Sequence, residues 1–578
     1  MKPAVMLAAC LLHGALLAAQ PGPDLIRLDQ AGFYPHGPKT AVLRSGTVPY
    51  FVLCTAEGRD TVFRGRPGAP RRGEWSGEAL QLADFSAFRQ PGRYVLCAPG
   101  LGCSYPFDIQ AAVHLPIANG ALKGFYYQRA SAALLPAHAG AWSRAAGHPD
   151  REVLIHPSAA SPGRPAGTVI ASPGGWYDAG DYNKYIVNSG ITMGTLLSLL
   201  EDFPETAAAL RPGIPEAGND LPDLLDEILW NLRWMLTMQD PGDGGVYHKL
   251  TNPEFGLLAQ APADAQGPRY VVQKSTAAAL DFAAVTAQAS RVCRPWLPAL
   301  ADSCLEAARS AWRWAEANPE VLYRQEAMNA AFDPDVHTGA YGDGQLQDEW
   351  IWAAAELYAT TGEAAYCRAR PMLPDAQMPL PAWNQVRLLG YYTLLRHAAQ
   401  LGPEGRRDLP RLRRQLLAAA DSMAAGGSAR SYGVVMGGDA RDFVWGSNAV
   451  AANQAILLVQ AWKLRGKRRY AAAALGNLEY VLGRNATGYC FLTGFGSRQV
   501  MHPHHRPSEG DAAAEPVPGL LAGGPNPGRQ DGCAGYPSEL PDACYLDEAC
   551  SYASNEIAIN WNAPMVYLAA AMEAVWGR

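Results

Sequence analysis

The sequence has no C-x-x-C pair and no Cys/His cluster with finger spacing, so a structural zinc site has no support. It also lacks a strong excess of charge. Lys and Arg number 48 against 54 Asp and Glu, a net −6, which gives no electrostatic reason to expect nucleic acid or an anionic membrane as partner. Charged residues are 18% of the chain and hydrophobic residues 48%, the reverse of a disordered composition. No short repeat recurs, which disfavours an open solenoid. After the first twenty residues no stretch approaches 18 consecutive apolar positions, so no membrane span is expected in the mature chain.

What is present begins with an export signal. Lys2 is the only charge before the apolar run Ala4 to Ala19, which ends in small residues ahead of Gln20-Pro21. A charged start, an apolar middle and a small-residue cut site define a signal peptide over residues 1–19 and a secreted or periplasmic protein. Leu7-Ala8-Ala9-Cys10 resembles a bacterial lipobox, so a lipid anchor through Cys10 is the alternative. Eleven Cys suit an oxidising compartment. Close pairs are Cys97/Cys103, Cys293/Cys304 and Cys533 with Cys544 or Cys550, with connectivity left open.

Two textures follow. Residues 22–110 carry short apolar or β-branched runs, among them Thr40-Ala41-Val42-Leu43, Tyr50-Phe51-Val52-Leu53 and Arg93-Tyr94-Val95-Leu96-Cys97. Gly, Pro and Asp turns separate them, which predicts an all-β, immunoglobulin-like sandwich. From residue 113 to 578 the period becomes helical. Leu221, Leu224, Leu225, Ile228, Leu232, Met235 and Leu236 lie on one stripe, and about eleven such segments occur with no convincing strand run between them. Helix pairs of this number either close into a ring or stack as an open solenoid, the lack of a repeat favouring the ring, and the long Gly- and Pro-rich loops between them are where a site would sit.

Three loops hold the chemistry. In Gly174–Tyr185, Asp178 and Asp181 stand three apart among glycines and the rings of Trp176, Tyr177, Tyr182 and Tyr185. Two close carboxylates raise each other's pKa and suit a water-activating base, while a turn using Asp for backbone bonds is the plainer reading. His502, His504, His505 and Arg506 crowd a second loop. Sugar binding suits them better than a metal, because the Arg charge opposes a cation, and a solvated polar loop is the alternative. In the third, Glu556 opens the last helix amid apolar and aromatic residues. A raised pKa would make it a general acid; otherwise it is a first-turn Glu favoured by the helix dipole.

Together these loops resemble glycoside hydrolase family 9, the inverting cellulases. Asp178-Ala179-Gly180-Asp181 looks like the family's base motif and Pro503-His504-His505-Arg506 like its substrate loop. Tyr545-x-Asp547, Tyr552, Glu556, Ala558 and Asn562-Ala563 match its acid motif in spacing, and Gly519 and Gly523-Gly524-Pro525-Asn526 also look like family sequence. Ile26–Phe33 and Pro106-Phe107-Asp108-Ile109 resemble the immunoglobulin-like module that precedes many such domains. Departures are Asn485-Ala486-Thr487 for the frequent Asn-Pro, Cys490 at a small-residue position, and Trp561 where Tyr is common. Asn485-Ala486-Thr487 is also a glycosylation sequon.

The resemblance implies an (α/α)6 barrel and inverting hydrolysis of internal β-1,4-glucosidic bonds in cellulose or related β-glucans. The alternatives are an exo-acting glucosidase or glucosaminidase of the same fold, or a non-catalytic glucan-binding protein. By motif position Asp181 is the general base, Asp178 helps hold the water and Glu556 is the general acid. Asp547 is the acid motif's other carboxylate, structural or chemical, and His504 joins the catalytic set. His505, Arg506, Trp176, Tyr552 and Trp561 are the expected substrate contacts. No cofactor is required and no metal ligand is assigned. Calcium is a possible structural ion, at Asp343, Asp348 and Glu349, with an acidic helix N-terminus as the plainer account of those residues. A monomer is expected, with a β-glucan as its only partner.

Overall fold

Strands with alternating burial build the N-terminal unit. Gly92–Ala98 buries Tyr94, Leu96 and Ala98 and turns the residues between them outward, the period-two pattern of a one-faced sheet. In the computed structural model, which describes residues 23–511 and 513–577, two sheets face each other. One runs Ile26–Arg27, Thr40–Leu43, Ala79–Asp84, Arg71–Arg72. The other runs Gly32–Phe33, Phe107–Ile109, Gly92–Ala98, Phe51–Thr55, Thr61–Gly65, with Gly102–Cys103 beside Gly92–Ala98. Phe33 packs edge-on against Phe85 and Phe107, with centroids at 5.0 and 5.2 Å. This is the immunoglobulin-like sandwich, and a disulfide joins Cys97 to Cys103 across its adjacent strands. The expected signal at residues 1–19, with Cys10, lies outside the described residues.

The sandwich is latched to the helical unit by buried polar contacts. His114 Nε2 stands 2.8 Å from Asp29 Oδ2 with both side chains sealed from water. Tyr34 Oη donates to Glu573 Oε1, on the last helix, at 2.8 Å. Gln30 Nε2 donates to the Gly488 carbonyl at 2.9 Å, and Trp75 Nε1 to that of Gly437 at 3.2 Å.

Among the described residues eleven helices have ten residues or more. Those at Ile186–Asp202, Thr276–Cys293, Gln347–Thr361, Arg387–Arg396, Ser447–Arg465 and Ile559–Trp576 are buried around almost their whole circumference. Alanines make close approach possible: Ala277, Ala278, Ala279, Ala283, Ala284 and Ala287 are all buried in Thr276–Cys293. Pro298–Ala317 and Leu409–Ala429 instead bury a single stripe. In Pro298–Ala317 that stripe is Ala301, Cys304, Ala308, Ala311, Trp312 and Ala315, spaced three and four apart. An all-round apolar ring inside a one-sided ring is an (α/α)6 barrel.

The expectation of no strands among the helices needs correction. Val169–Ile170, Val153–Ile155, Tyr270–Val271, Lys249–Thr251 and Lys184–Tyr185 form a five-stranded sheet in that order. Strands of two or three residues leave no alternation long enough to read from sequence. A second disulfide joins Cys533 to Cys550, while Cys293, Cys304 and Cys544 are buried free thiols. Asn485 is buried and donates to the Tyr480 and Tyr489 carbonyls at 2.7 and 2.9 Å, so the folded chain withholds this sequon from glycosylation. No helix among the described residues is long and apolar enough to cross a membrane.

Candidate active site

The small sheet braces the loop that carries Asp178 and Asp181. Lys184 and Tyr185 pair with Leu250 and Lys249. Behind them Asp150, fully buried, takes Lys184 Nζ at 2.7 Å and Arg269 Nε at 3.0 Å. Arg269 also donates to the Tyr182 carbonyl at 2.9 Å, and Lys184 to that of Gly174 at 2.7 Å. Gly180, between the two carboxylates, is required by contact. A Cβ there would stand 2.3 Å from the His504 carbonyl oxygen. With no side chain in the way, the Gly180 carbonyl accepts from Arg506 N at 3.1 Å and from Arg506 Nη1 at 2.8 Å. The histidine loop therefore lies directly on the base loop.

The Glu556 segment closes the third side. Ile559 N donates to the Asp178 carbonyl at 2.9 Å, and His504 N to that of Asn555 at 3.0 Å. Asp178, Asp181, His504, Arg506, Tyr552 and Glu556 thus line one cavity of about 720 Å³. Phe255, Tyr341, Trp383, Trp445 and Trp561 add apolar faces to its walls, the surfaces on which pyranose rings stack.

The carboxyl groups differ in their partners. Asp181 Oδ2 accepts from Asn183 Nδ2 at 2.5 Å and from Tyr185 Oη at 3.1 Å. Asp178 accepts from Asn188 Nδ2 at 2.7 Å and from Tyr341 Oη at 2.6 Å. Burial and the neighbouring Asp181 push the Asp178 pKa well up. Burial, then Asp181 and Asp178, push Glu556 up to about 8. Its tip reaches cleft water while protein encloses it on its other sides. A carboxyl still protonated at neutral pH, beside two others, is an acid able to give its proton away. Burial lowers the His504 pKa. Its Nδ1 lies 2.6 Å from the Ala549 carbonyl and so carries the proton, which leaves Nε2 as an acceptor.

Three expected site residues are placed elsewhere. Trp176 is fully buried and donates to Glu227 Oε1 at 2.8 Å, with its ring packed on Phe125, so it is a core residue and no sugar contact. His505 is also sealed, between Ser508 Oγ and Gln128 Oε1 at 2.9 Å each. Gln128 in turn donates to the Ala179 carbonyl at 2.9 Å, so His505 braces the base loop. Asp547 accepts from Met501 N and His502 N, both at 2.9 Å, and from Asn555 Nδ2 at 3.2 Å. Its carboxylate is spent on the backbone that carries His504 and does not line the cavity. Arg506 lines it but anchors loops as well, its Nε donating to the Gly256 carbonyl at 3.0 Å.

Sequence reading missed Tyr341, Trp383, Trp445, Phe255 and Asn188. Only Tyr341 left a local trace, at the head of the acidic stretch that ends in Asp348-Glu349. It holds φ of 47°, unusual for a bulky residue, and meets Tyr185 and Trp383 edge-on with centroids at 4.8 and 5.3 Å.

That stretch was the candidate for calcium. Asp281 faces Asp343, Asp348 and Glu349 from helix Thr276–Cys293, and neither Asp281 oxygen has a hydrogen-bond partner. Burial and mutual repulsion raise the Asp281 and Glu349 pKa values well above the usual range. The donor chemistry suits a hard cation, but among the described residues no three His, Cys, Asp or Glu side chains stand in ligating geometry.

Comparison with known proteins places this cleft in context. The family described as Glycosyl hydrolase family 9 matches residues 116–569, and the Cellulase N-terminal ig-like domain matches residues 22–102. A protein of Bacteroides ovatus described as a xyloglucan-specific endo-beta-1,4-glucanase is 46% identical, over 98% of this chain and 97% of its own. A solved Bacteroides ovatus GH9 structure superposes with a TM-score of 0.91 at 44% identity, covering 96% of this chain and 99% of that one. A thermostable endoglucanase from Alicyclobacillus acidocaldarius gives 0.85 at 33% identity, covering 95% and 100%.

Proposed function

The chain belongs to glycosyl hydrolase family 9, and from that premise we propose that it cuts internal bonds of a branched β-1,4-glucan of the xyloglucan kind, with inversion. Relatives covering nearly all of the chain are described as endoglucanases, and this chain is an endo-1,4-β-glucanase. The finer preference rests on the near full-length likeness to the xyloglucan-specific relative. An aromatic-walled cleft of about 720 Å³ is consistent with a decorated chain.

One observation carries the mechanism: Asp181 and Glu556 line the same cavity while differing in hydrogen bonding. We assign Asp181 as general base, drawing a proton from a water that Asp178 helps to hold. Glu556 gives its proton to the leaving glucosidic oxygen. An inverting pair works with its carboxyl groups about 6.5–9.5 Å apart, because the water attacks between them. His504, with Nε2 free to accept, takes a sugar hydroxyl, and Tyr552 and Trp561 offer ring faces. Both proton transfers run through side chains, so no cofactor enters a step. A calcium ion at Asp281, Asp343, Asp348 and Glu349 would be structural and would need those side chains to move together. The N-terminal sequence supports an exported enzyme.

The test is a product profile on xyloglucan, carboxymethylcellulose and short oligosaccharides, with NMR of fresh product. We expect rapid viscosity loss, faster turnover of xyloglucan and an initial α-anomer. Faster turnover of the unbranched polymer would reject the branched preference, and an initial β-anomer would reject inversion.

A further inference from the structure

A buried cation stands behind the base with no role in the account above. Tyr185 and Lys249 face each other across the small sheet. The Lys249 side chain is sealed from water. Its Nζ donates to Gln325 Oε1 at 2.7 Å, Thr338 Oγ1 at 2.9 Å and the Gly339 carbonyl at 2.7 Å. All three N–H groups thus go to neutral acceptors. Among the described residues no carboxylate forms a salt bridge with it, whereas its neighbour in the sheet, Lys184, has Asp150 at 2.7 Å. An ammonium buried without a counter-ion is costly. Such a group beside a reactive cleft calls for a functional reason.

The hydrogen bonds lead from it to the base. Thr338 Oγ1 lies 2.7 Å from Thr251 Oγ1, which lies 3.0 Å from Asn183 Oδ1, and Asn183 Nδ2 donates to Asp181 Oδ2 at 2.5 Å. The ammonium donates to a hydroxyl, the Thr251 hydroxyl to an amide oxygen and the amide N–H to the carboxylate; with Thr338 donating to Thr251, the links share one sense. Aligned bonds polarise one another. The Asn252 carbonyl, 2.7 Å from Thr251 Oγ1, competes for one proton. A second branch bypasses it, because Tyr185 Oη donates to Asp181 Oδ2 and its ring lies 5.6 Å from Lys249 Nζ.

We propose that Lys249 is a positioning residue for the hydrolysis. Its buried charge, relayed through Thr338, Thr251 and Asn183, keeps Asp181 as the ionised member of the three carboxyl groups in the cleft. This rests on the reading of Asp181 as general base. The need arises because Asp178, Asp181 and Glu556 repel one another, and only one distribution of protons is productive. The other groups that act with Asp181 do not select it. His504 is neutral, Tyr182 and Tyr185 are held protonated by burial, and Arg506 also acts on Glu556. Around Lys249 itself stand Tyr185, Tyr323 and His248, whose pKa burial lowers to about 3, so none supplies a negative charge. Burial pulls the Lys249 ammonium down to about 7, and the one charge opposing this is Asp181.

The test is the pH profile of kcat/KM for Lys249→Met and Thr338→Val, on soluble β-glucan and on an aryl β-glycoside. We expect the acidic limb of Lys249→Met to move up by about one pH unit on both substrates. The rate at pH 5 then falls about tenfold, while the plateau falls less than about threefold and KM is unchanged. Thr338→Val keeps the volume and the charge and should move the limb the same way by less. A lowered plateau and Tm with the acidic limb unmoved would mean a merely structural lysine and overturn the proposal. If Lys249→Met does not fold, an unmoved limb in Thr338→Val overturns it equally. Asp181→Asn in the same assays separates the two failures. An active Asp181→Asn removes the base assignment itself, whereas an inactive one with unmoved limbs elsewhere removes only the role of Lys249.

Discussion

Helix Ile186–Asp202 has a cluster of buried charge at each end, about 25 Å apart, and the two are built on opposite rules. At its start the carboxyls of Asp178, Asp181 and Glu556 share one cavity, and among the described residues none of them forms a salt bridge. At its end Glu201 and Asp202 are saturated with cations. Arg291 bonds Glu201 through Nε and Nη2 at 2.7 and 3.2 Å. Arg396 clasps Asp202 through Nε and Nη2 at 2.9 and 2.8 Å, with Lys463 and Tyr567 on the same carboxylate. Burial works to raise both carboxyls, but Arg291 and Arg396 at Glu201, and Arg396 and Lys463 at Asp202, outweigh it and hold them below the usual range. Arg291, Arg396 and Lys463 all come from the last turns of their helices, where the dipole favours a cation. Burial alone does not make a carboxyl reactive; the absence of a directly bonded cation does. One end ties the barrel together and the other keeps its protons mobile.

The largest expected effect tests that division by rate. Removing one positioned acid or base costs typically about 10²–10⁴-fold. Glu556→Gln should lose this much on polysaccharide and far less on an aryl glycoside whose leaving group departs without a proton. Asp181→Asn should fail on both, since water must be activated whatever leaves. Equal losses for Glu556→Gln on both substrates, with chemistry limiting, would remove it from the acid's role. Asp547→Asn should instead lower Tm together with activity on both substrates, because its oxygens hold Met501 N and His502 N.

The second effect belongs to the paired end. Arg396→Met leaves Asp202 to Lys463 and Tyr567 and Glu201 to Arg291, and removing one partner of a buried pair costs up to about 3–5 kcal/mol. Denaturant unfolding should show that loss while kcat of the folded fraction stays within about twofold. A specific fall in kcat with stability intact would mean that the two ends communicate and that the comparison is drawn wrongly.

What was legible in the sequence follows the same physics. Helix number and the immunoglobulin-like sandwich could be read because apolar period is written locally, as in Leu221 to Leu236 or Gly92–Ala98. Asp178, Asp181 and Glu556 were legible through motif spacing. Trp176 and His505 misled because an aromatic or a histidine beside a motif looks the same whether it faces sugar or Glu227. Lys249 was invisible because a strand of three residues carries no period, and Thr338 because its partners lie far away in sequence. The paired end was equally silent, because Arg291, Arg396 and Lys463 reach Glu201 and Asp202 from three other helices.

The smallest effect is one of sign with pH. At the open end Glu556 is raised from its unfolded value near 4.5 to about 8. The folded state therefore holds a proton that the unfolded state has released. Its contribution is fully present below pH 4.5 and is lost as pH rises toward 8. Glu201 and Asp202 behave in the opposite sense. Their folded pKa values are lowered, so their contribution is present above about pH 4 and is lost as pH falls through the folded values. Glu556→Gln removes only the first of these. Its unfolding free energy should match the wild type at pH 4 and exceed it increasingly up to pH 8, by about 1–2 kcal/mol once cleft water has screened the charge. An inactive variant more stable than the enzyme at pH 8, and no more stable at pH 4, is what an uncompensated catalytic carboxyl requires. A constant difference across pH would mean that Glu556 is neutralised by a partner after all, and that the open end is paired like the other.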